Sequence, residues 1–128
     1  MMEREMTLNE YQVRAMQTCM ESCDNFSYMF LNLVGEVGEL SSKVAKLIRK
    51  EQAVISENDF VVEITTMEDS LDDSIYDEMK KEAGDILWQL AGLCKVMGWD
   101  LNDVASANLE KLASRKQRGV IDGNGDNR

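Results

Sequence analysis

Phe26, Phe30, Leu33, Val37, Leu40, Val44 and Leu47 recur at steps of four and three. That spacing returns to one face of a helix with 3.6 residues per turn, and it predicts an amphipathic helix over about residues 26–50. The chain contains no proline, so no ring removes a hydrogen bond inside such a helix. Ile75, Met79, Ala83, Ile86, Leu87, Leu90, Cys94 and Met97 form a second stripe. It predicts a helix from Ser74, with Ser74-x-x-Asp77 as its cap, to Met97, with Gly98 as the C′ residue.

Two shorter helices complete the set. Thr7-Leu8-Asn9-Glu10 reads as a capping box that opens a helix over 8–22. Tyr11, Ala15, Thr18 and Cys19 form its inner side, and Ser22 to Asn25 form a break. Asp100 is the expected cap of a fourth helix, with Asp103 in its first turn and Leu101, Val104, Ala105 and Leu112 inward. That helix should stop before Gly119, leaving 119–128 as a Gly/Asp-rich tail, extended or mobile. The expectation is an all-α, four-helix bundle in one domain over 1–128.

Residues 51–74 interrupt this pattern and read as an acidic insertion. Phe60 to Thr66 is β-branched, and suits either a strand or a mobile loop. Net charge is −10. Ten acids and no Lys or Arg fall within 51–79; the rest of the chain is neutral. That balance argues against binding a nucleic-acid polymer. No apolar run is long enough to cross a membrane, and the opening residues lack a signal-peptide core. Cys19, Cys23 and Cys94 read as free thiols of a reducing, cytoplasmic compartment. Histidine is absent, which excludes Ser-His and Cys-His catalysis and the Glu-x-x-His di-iron bundle. A metal would have oxygen ligands, which favours magnesium, with manganese as the second choice.

Gly35-Glu36-Val37-Gly38-Glu39-Leu40 places two carboxylates three residues apart on a helix that should be mostly core. Glu82-Ala83-Gly84-Asp85 repeats the arrangement. Each glycine costs roughly 1 kcal/mol in a helix interior, and a facing helix or a ligand would account for it. Either pair alone is ordinary helix surface. Together, both flank an apolar stripe, and Lys43, Lys46, Lys80 and Lys81 stand near them for an anionic ligand. Ordinary i,i+4 pairing with the acids explains those lysines equally well. Tyr28 and Phe30 are candidate base contacts. Trp88 projects away from its stripe, and subunit packing is its expected role.

These residues resemble the MazG-like all-α nucleoside triphosphate pyrophosphohydrolases, whose signature is Glu-x-x-Glu on one helix and Glu-x-x-Asp on the next. The similarity extends to Thr7-Leu8-Asn9-Glu10-Tyr11-Gln12, to Asn108-Leu109-Glu110-Lys111-Leu112 through Arg115 to Gly119, and to the tail from Gly123. Between Glu39 and Glu82 lie 42 residues, longer than the usual family spacing. The resemblance implies a homodimer or dimer of dimers, with the site near the subunit interface. It implies magnesium-dependent cleavage between the α and β phosphates of a nucleoside triphosphate, giving a monophosphate and pyrophosphate. Glu36, Glu39, Glu82 and Asp85 would be the metal ligands, with Glu39 also orienting the attacking water. Lys43, Asn108, Lys111 and Arg115 would bind substrate. Asn108 sits at a position that patterning assigns to the core, so a buried structural amide is its competing role. Two other functions stay open on the residues alone. One is an acidic helical module whose 51–79 segment docks a basic partner. The other is a related phosphohydrolase acting on a non-nucleotide phosphate.

Overall fold

The computed structural model describes residues 4–63, 70–123 and 125. Four helices, α1 (Leu8–Met16), α2 (Phe26–Arg49), α3 (Ser70–Val96) and α4 (Leu101–Arg118), are joined by a 3-10 turn at Glu21–Cys23 and a hairpin of β1 (Ala53–Ser56) and β2 (Asp59–Val62). The all-α expectation holds, with this small two-stranded sheet added.

Thr7 caps α1 as expected, its hydroxyl accepting from Glu10 N at 3.1 Å. The Glu10 carboxylate is turned to Arg4 at 3.0 Å. The helix is shorter than the predicted 8–22 and ends at Met16. The reason lies in Ala15 O, which accepts from Thr18 N, from the Thr18 hydroxyl and from the Trp88 indole. Cys19 N bonds to Met16 O instead of continuing the i→i−4 ladder. Three donors on one carbonyl tighten the last turn and stop the helix.

α2 and α3 run antiparallel: Met29, Asn32, Glu36 and Lys43 meet Gly92, Gln89, Asp85 with Glu82, and Glu78 respectively. The seam is rotated from the predicted stripes. On α2, Met29 is fully buried while Phe26, Phe30 and Val37 are 51%, 47% and 47% exposed. On α3 the buried positions among the described residues are Ile75, Gln89, Ala91, Gly92 and Cys94; Leu87 and Leu90, and Met97 just beyond the helix, are exposed. The patterning missed this because both helices carry more apolar residues than one contact face uses. Helix α3 begins at Ser70, so Ser74 is interior to it and is not the predicted cap. At Gly92 a Cβ would overlap the Met29 thioether, so here a glycine does permit close helix approach.

Gln12, a buried amide, joins α1 to the α3–α4 turn. It donates to Ala91 O at 3.2 Å and Trp99 O at 3.0 Å, and accepts from Leu101 N at 3.1 Å. Asn9 accepts from Asn102 N at 2.9 Å. The first amides of α4 are thus capped by α1 side chains, and the predicted Asp100 cap makes no such bond. Both α3 and α4 end as predicted on left-handed glycines, Gly98 (φ 76) and Gly119 (φ 74). At each, paired 6→1 and 5→2 backbone bonds satisfy the last carbonyls. Val104, Asn108 and Leu112, expected inward, are exposed; Leu101 and Arg115 are the buried positions of α4.

The hairpin occupies part of the acidic segment. Its two-residue turn uses positive φ at Glu57 and Asn58, the geometry that matches strand twist. Ala53 is buried, and Phe60 meets Tyr76 edge-on at 6.2 Å. Of Phe60 to Thr66, expected as strand or loop, β2 takes the residues up to Val62; Ile64 to Thr66 lie outside the described residues. No helix among the described residues is long and apolar enough to cross a membrane.

Candidate metal centre

Helix α2 supplies Glu36 and helix α3 supplies Glu82 and Asp85. One carboxylate oxygen from each lies within 4.8 Å of the others. Like charges so close are costly unless protons or cations intervene. Glu36 shows this cost: burial first, then Asp85 and Glu39, push its carboxyl above its ordinary value, with the Asn32 amide opposing. Glu36 Oε2 and Glu82 Oε2 are buried with no hydrogen-bond partner. Buried orphan oxygens are rare in folded proteins, and an ion or water is the usual explanation.

The other oxygens are held. Asn32 Nδ2 donates to Glu36 Oε1 at 3.3 Å. Lys43 Nζ lies 3.3 Å from Glu82 Oε1 and 3.6 Å from Glu78 Oε2. The Glu82 hydrogen bond is the main cause holding the Lys43 ammonium above its ordinary pKa. Tyr11 faces the same charges: burial, then Asp85, raise its phenol.

Glu39 is exposed and falls outside the three-carboxylate cluster. It lines an adjoining groove of about 370 Å³ with Gly35, Gly38, Lys43, Lys46 and Glu82. A Cβ at Gly38 or Gly84 would meet nothing within 4 Å, and at Gly35 only the Asn32 amide oxygen. No facing helix explains these three glycines; Gly35 and Gly38 open onto the groove. Asn108 and Lys111 line a different groove of about 530 Å³, with Trp99, Asp103 and Val104. Arg115 is buried, and its guanidinium donates to Gly125 O at 3.5 Å. Lys80 and Lys81 are exposed on α3.

Trp88, expected to pack against another subunit, is half-buried and makes hydrogen bonds within the chain. Its indole donates to Ala15 O at 3.1 Å and to the Thr18 hydroxyl at 2.9 Å. Phe30 stacks on Phe26 at 5.4 Å. Tyr28 is exposed, and its hydroxyl accepts from Asn32 Nδ2 at 3.3 Å.

Sequence reasoning missed Asn32 and Gln89, although a signal exists. Asn32 precedes Glu36 by four residues, and Gln89 follows Asp85 by four. Each amide therefore continues the face on which the acids lie.

Oxygen-only donors, two of them desolvated and unpartnered, suit a hard divalent cation in their number and chemistry. Comparison with known proteins agrees. No solved structure matches the chain. It is 35% identical over 130 residues to the "Gene 37 protein" of Mycobacterium phage L5, covering 96% of this chain and 100% of that protein. The sequence model of the MazG nucleotide pyrophosphohydrolase domain matches residues 25–120, which contain all three clustered carboxylates. The chain belongs to the MazG nucleotide pyrophosphohydrolase family.

Proposed function

We propose that the protein hydrolyses nucleoside triphosphates between the α and β phosphates, releasing a nucleoside monophosphate and pyrophosphate. The observation that carries this is the pair of buried, unpartnered oxygens on Glu36 and Glu82 beside Asp85. Those three residues would hold magnesium, or manganese in its place. When bound, such a cation supplies charge neutralisation on the phosphates and a more acidic water.

The chain's own residues supply the rest. Asn32 fixes the Glu36 carboxylate from one side. Lys43, anchored on Glu82, brings a positive charge to the groove where phosphate oxygens would lie. Glu39, free of the cluster yet lining that groove, is placed to complete the ligand set or to orient the attacking water. Asn108, Lys111 and Arg115 remain proposed nucleotide contacts, and the separate groove of Asn108 and Lys111 calls for a homodimer in which α4 of one copy serves the site of the other. The exposed apolar residues of α2 and α3 support such an interface.

The test is a panel of nucleoside triphosphates with Mg²⁺, with products resolved by phosphorus NMR. Monophosphate and pyrophosphate in equal amounts are expected. Release of orthophosphate, or no turnover of any nucleotide, would overturn the reading.

A further inference from the structure

Among the described residues, Lys43 is the cation that forms an ion pair with the carboxylate cluster. Its ammonium crosses from α2 to α3, 3.3 Å from Glu82 Oε1 and 3.6 Å from Glu78 Oε2. Glu78 and Glu82 are one helical turn apart, so the ammonium stands between two carboxylates on one face of α3. The two are not equivalent. The Glu82 side chain is 17% exposed and belongs to the cluster; that of Glu78 is 56% exposed and does not.

The Glu82 carboxylate is divided. Oε1 faces Lys43, and Oε2 is buried without a partner. A divalent cation drawn to Glu36, Glu82 and Asp85 would meet a positive charge already resting on one of its ligands. Either the ammonium yields or the ion binds weakly. Lys43 has somewhere to go. Glu78 already faces the same Nζ, so leaving Glu82 does not strand a partly buried charge. Lys43 also lines both the groove that holds Glu39 and Glu82 and a second space, of about 260 Å³, that holds Glu78. A flexible four-carbon stem with three rotatable donors suits such a transfer.

We propose that Lys43 is the resident counter-ion of the carboxylate cluster, handed from Glu82 to Glu78 when a divalent cation enters. The ammonium stays protonated throughout; only its partner changes. The inference deepens the proposed function and rests on it for the metal centre. Lys43 and Glu78 are positioning residues: they set the affinity of the centre without ligating the ion. Lys43 offsets the repulsion within the metal-free cluster, and Glu78 lowers the cost of releasing it.

The experiment measures Mn²⁺ affinity by paramagnetic resonance, without nucleotide, in the full-length wild type, Lys43→Met, Glu78→Gln and the double variant. Lys43→Met should bind Mn²⁺ about fivefold or more tightly than wild type, since no ammonium competes. In chelator it should melt lower, because the clustered acids lose their cation. Glu78→Gln, altered at an exposed side chain, should melt close to wild type in chelator. It should bind Mn²⁺ about fivefold or more weakly, because Lys43 then stays on Glu82. In the Lys43→Met background, Glu78→Gln should change the affinity by less than about twofold, a non-additivity that reports the coupling of the two residues. A Glu78 that acts only through its charge would weaken binding equally in both backgrounds, and that result overturns the hand-over. So does wild-type affinity in Lys43→Met, or the absence of Mn²⁺ binding in all four proteins. Lys43→Gln carries the same cycle if Lys43→Met does not fold. The expected cycle without nucleotide turnover in the wild type would uphold the hand-over and remove the proposed activity instead.

Discussion

Asn32 Nδ2 donates to Gln89 Oε1 at 3.0 Å, tying α2 to α3 one turn from Glu36 and one turn from Asp85. Gln89 is 1% exposed, and its own amide donates to Met29 O at 3.5 Å. The link orients a carboxylate of the candidate metal centre from a buried, fully held amide. Outer partners of this kind typically change metal affinity by about 10–100-fold when removed. Asn32→Ala is expected to weaken Mn²⁺ binding about tenfold, read by paramagnetic resonance, with cooperative unfolding retained. Unchanged Mn²⁺ affinity would show that Asn32 only packs.

Glu36 gives the metal-free protein a defined response to pH. Its carboxyl is raised above 4.5 in the fold, so the native state holds that proton more tightly than the unfolded chain. Its contribution is complete below the ordinary carboxylate value and is lost as pH rises through the raised one. In chelator, the Tm should fall as pH is raised from about 4.5. Glu36→Gln should flatten that slope and leave the apo protein at least as stable at neutral pH. Mg²⁺ at 100 times its Kd should stabilise the wild type by about 2.7 kcal/mol and the variant by much less. A steeper slope in the variant would contradict the assignment.

Phe26 and Phe30 stack on one another while each remains about half exposed. Val37 on α2 and Leu87 and Leu90 on α3 are exposed as well. Exposed apolar side chains in this number on two packed helices are expected to be covered by a second copy. The solution mass should be at least twice 14.5 kDa by light scattering. Phe30→Asp should reduce it toward a single chain. A wild-type mass of one chain at micromolar concentration would rule this out.

Trp88 anchors the end of α1. Trp88→Phe removes its two hydrogen bonds and retains most of the ring. Ala15 O keeps its Thr18 partners, so no carbonyl is orphaned and the loss should be modest, roughly 1 kcal/mol. The urea midpoint measures it; the Mn²⁺ affinity should not move. A large loss of metal binding would tie this end of α1 to the site.

Local rules carried the sequence a long way. Steps of three and four located α2 and α3 along the chain. Left-handed glycines ended α3 and α4, and the spacing of Glu36, Glu82 and Asp85 marked the acids that converge. These are properties of one helical turn, set by backbone geometry and glycine's tolerance of positive φ. The tertiary structure decided which side of each helix is the seam, because each carries two apolar faces and only the partner selects one. It also decided that Trp88 stops α1, that Asn9 and Gln12 cap α4, and that Gln89 holds the Asn32 amide beside Glu36. Those bonds join residues 57 to 93 positions apart. No periodicity reports them, since a buried amide is stable only where the rest of the fold supplies its partner.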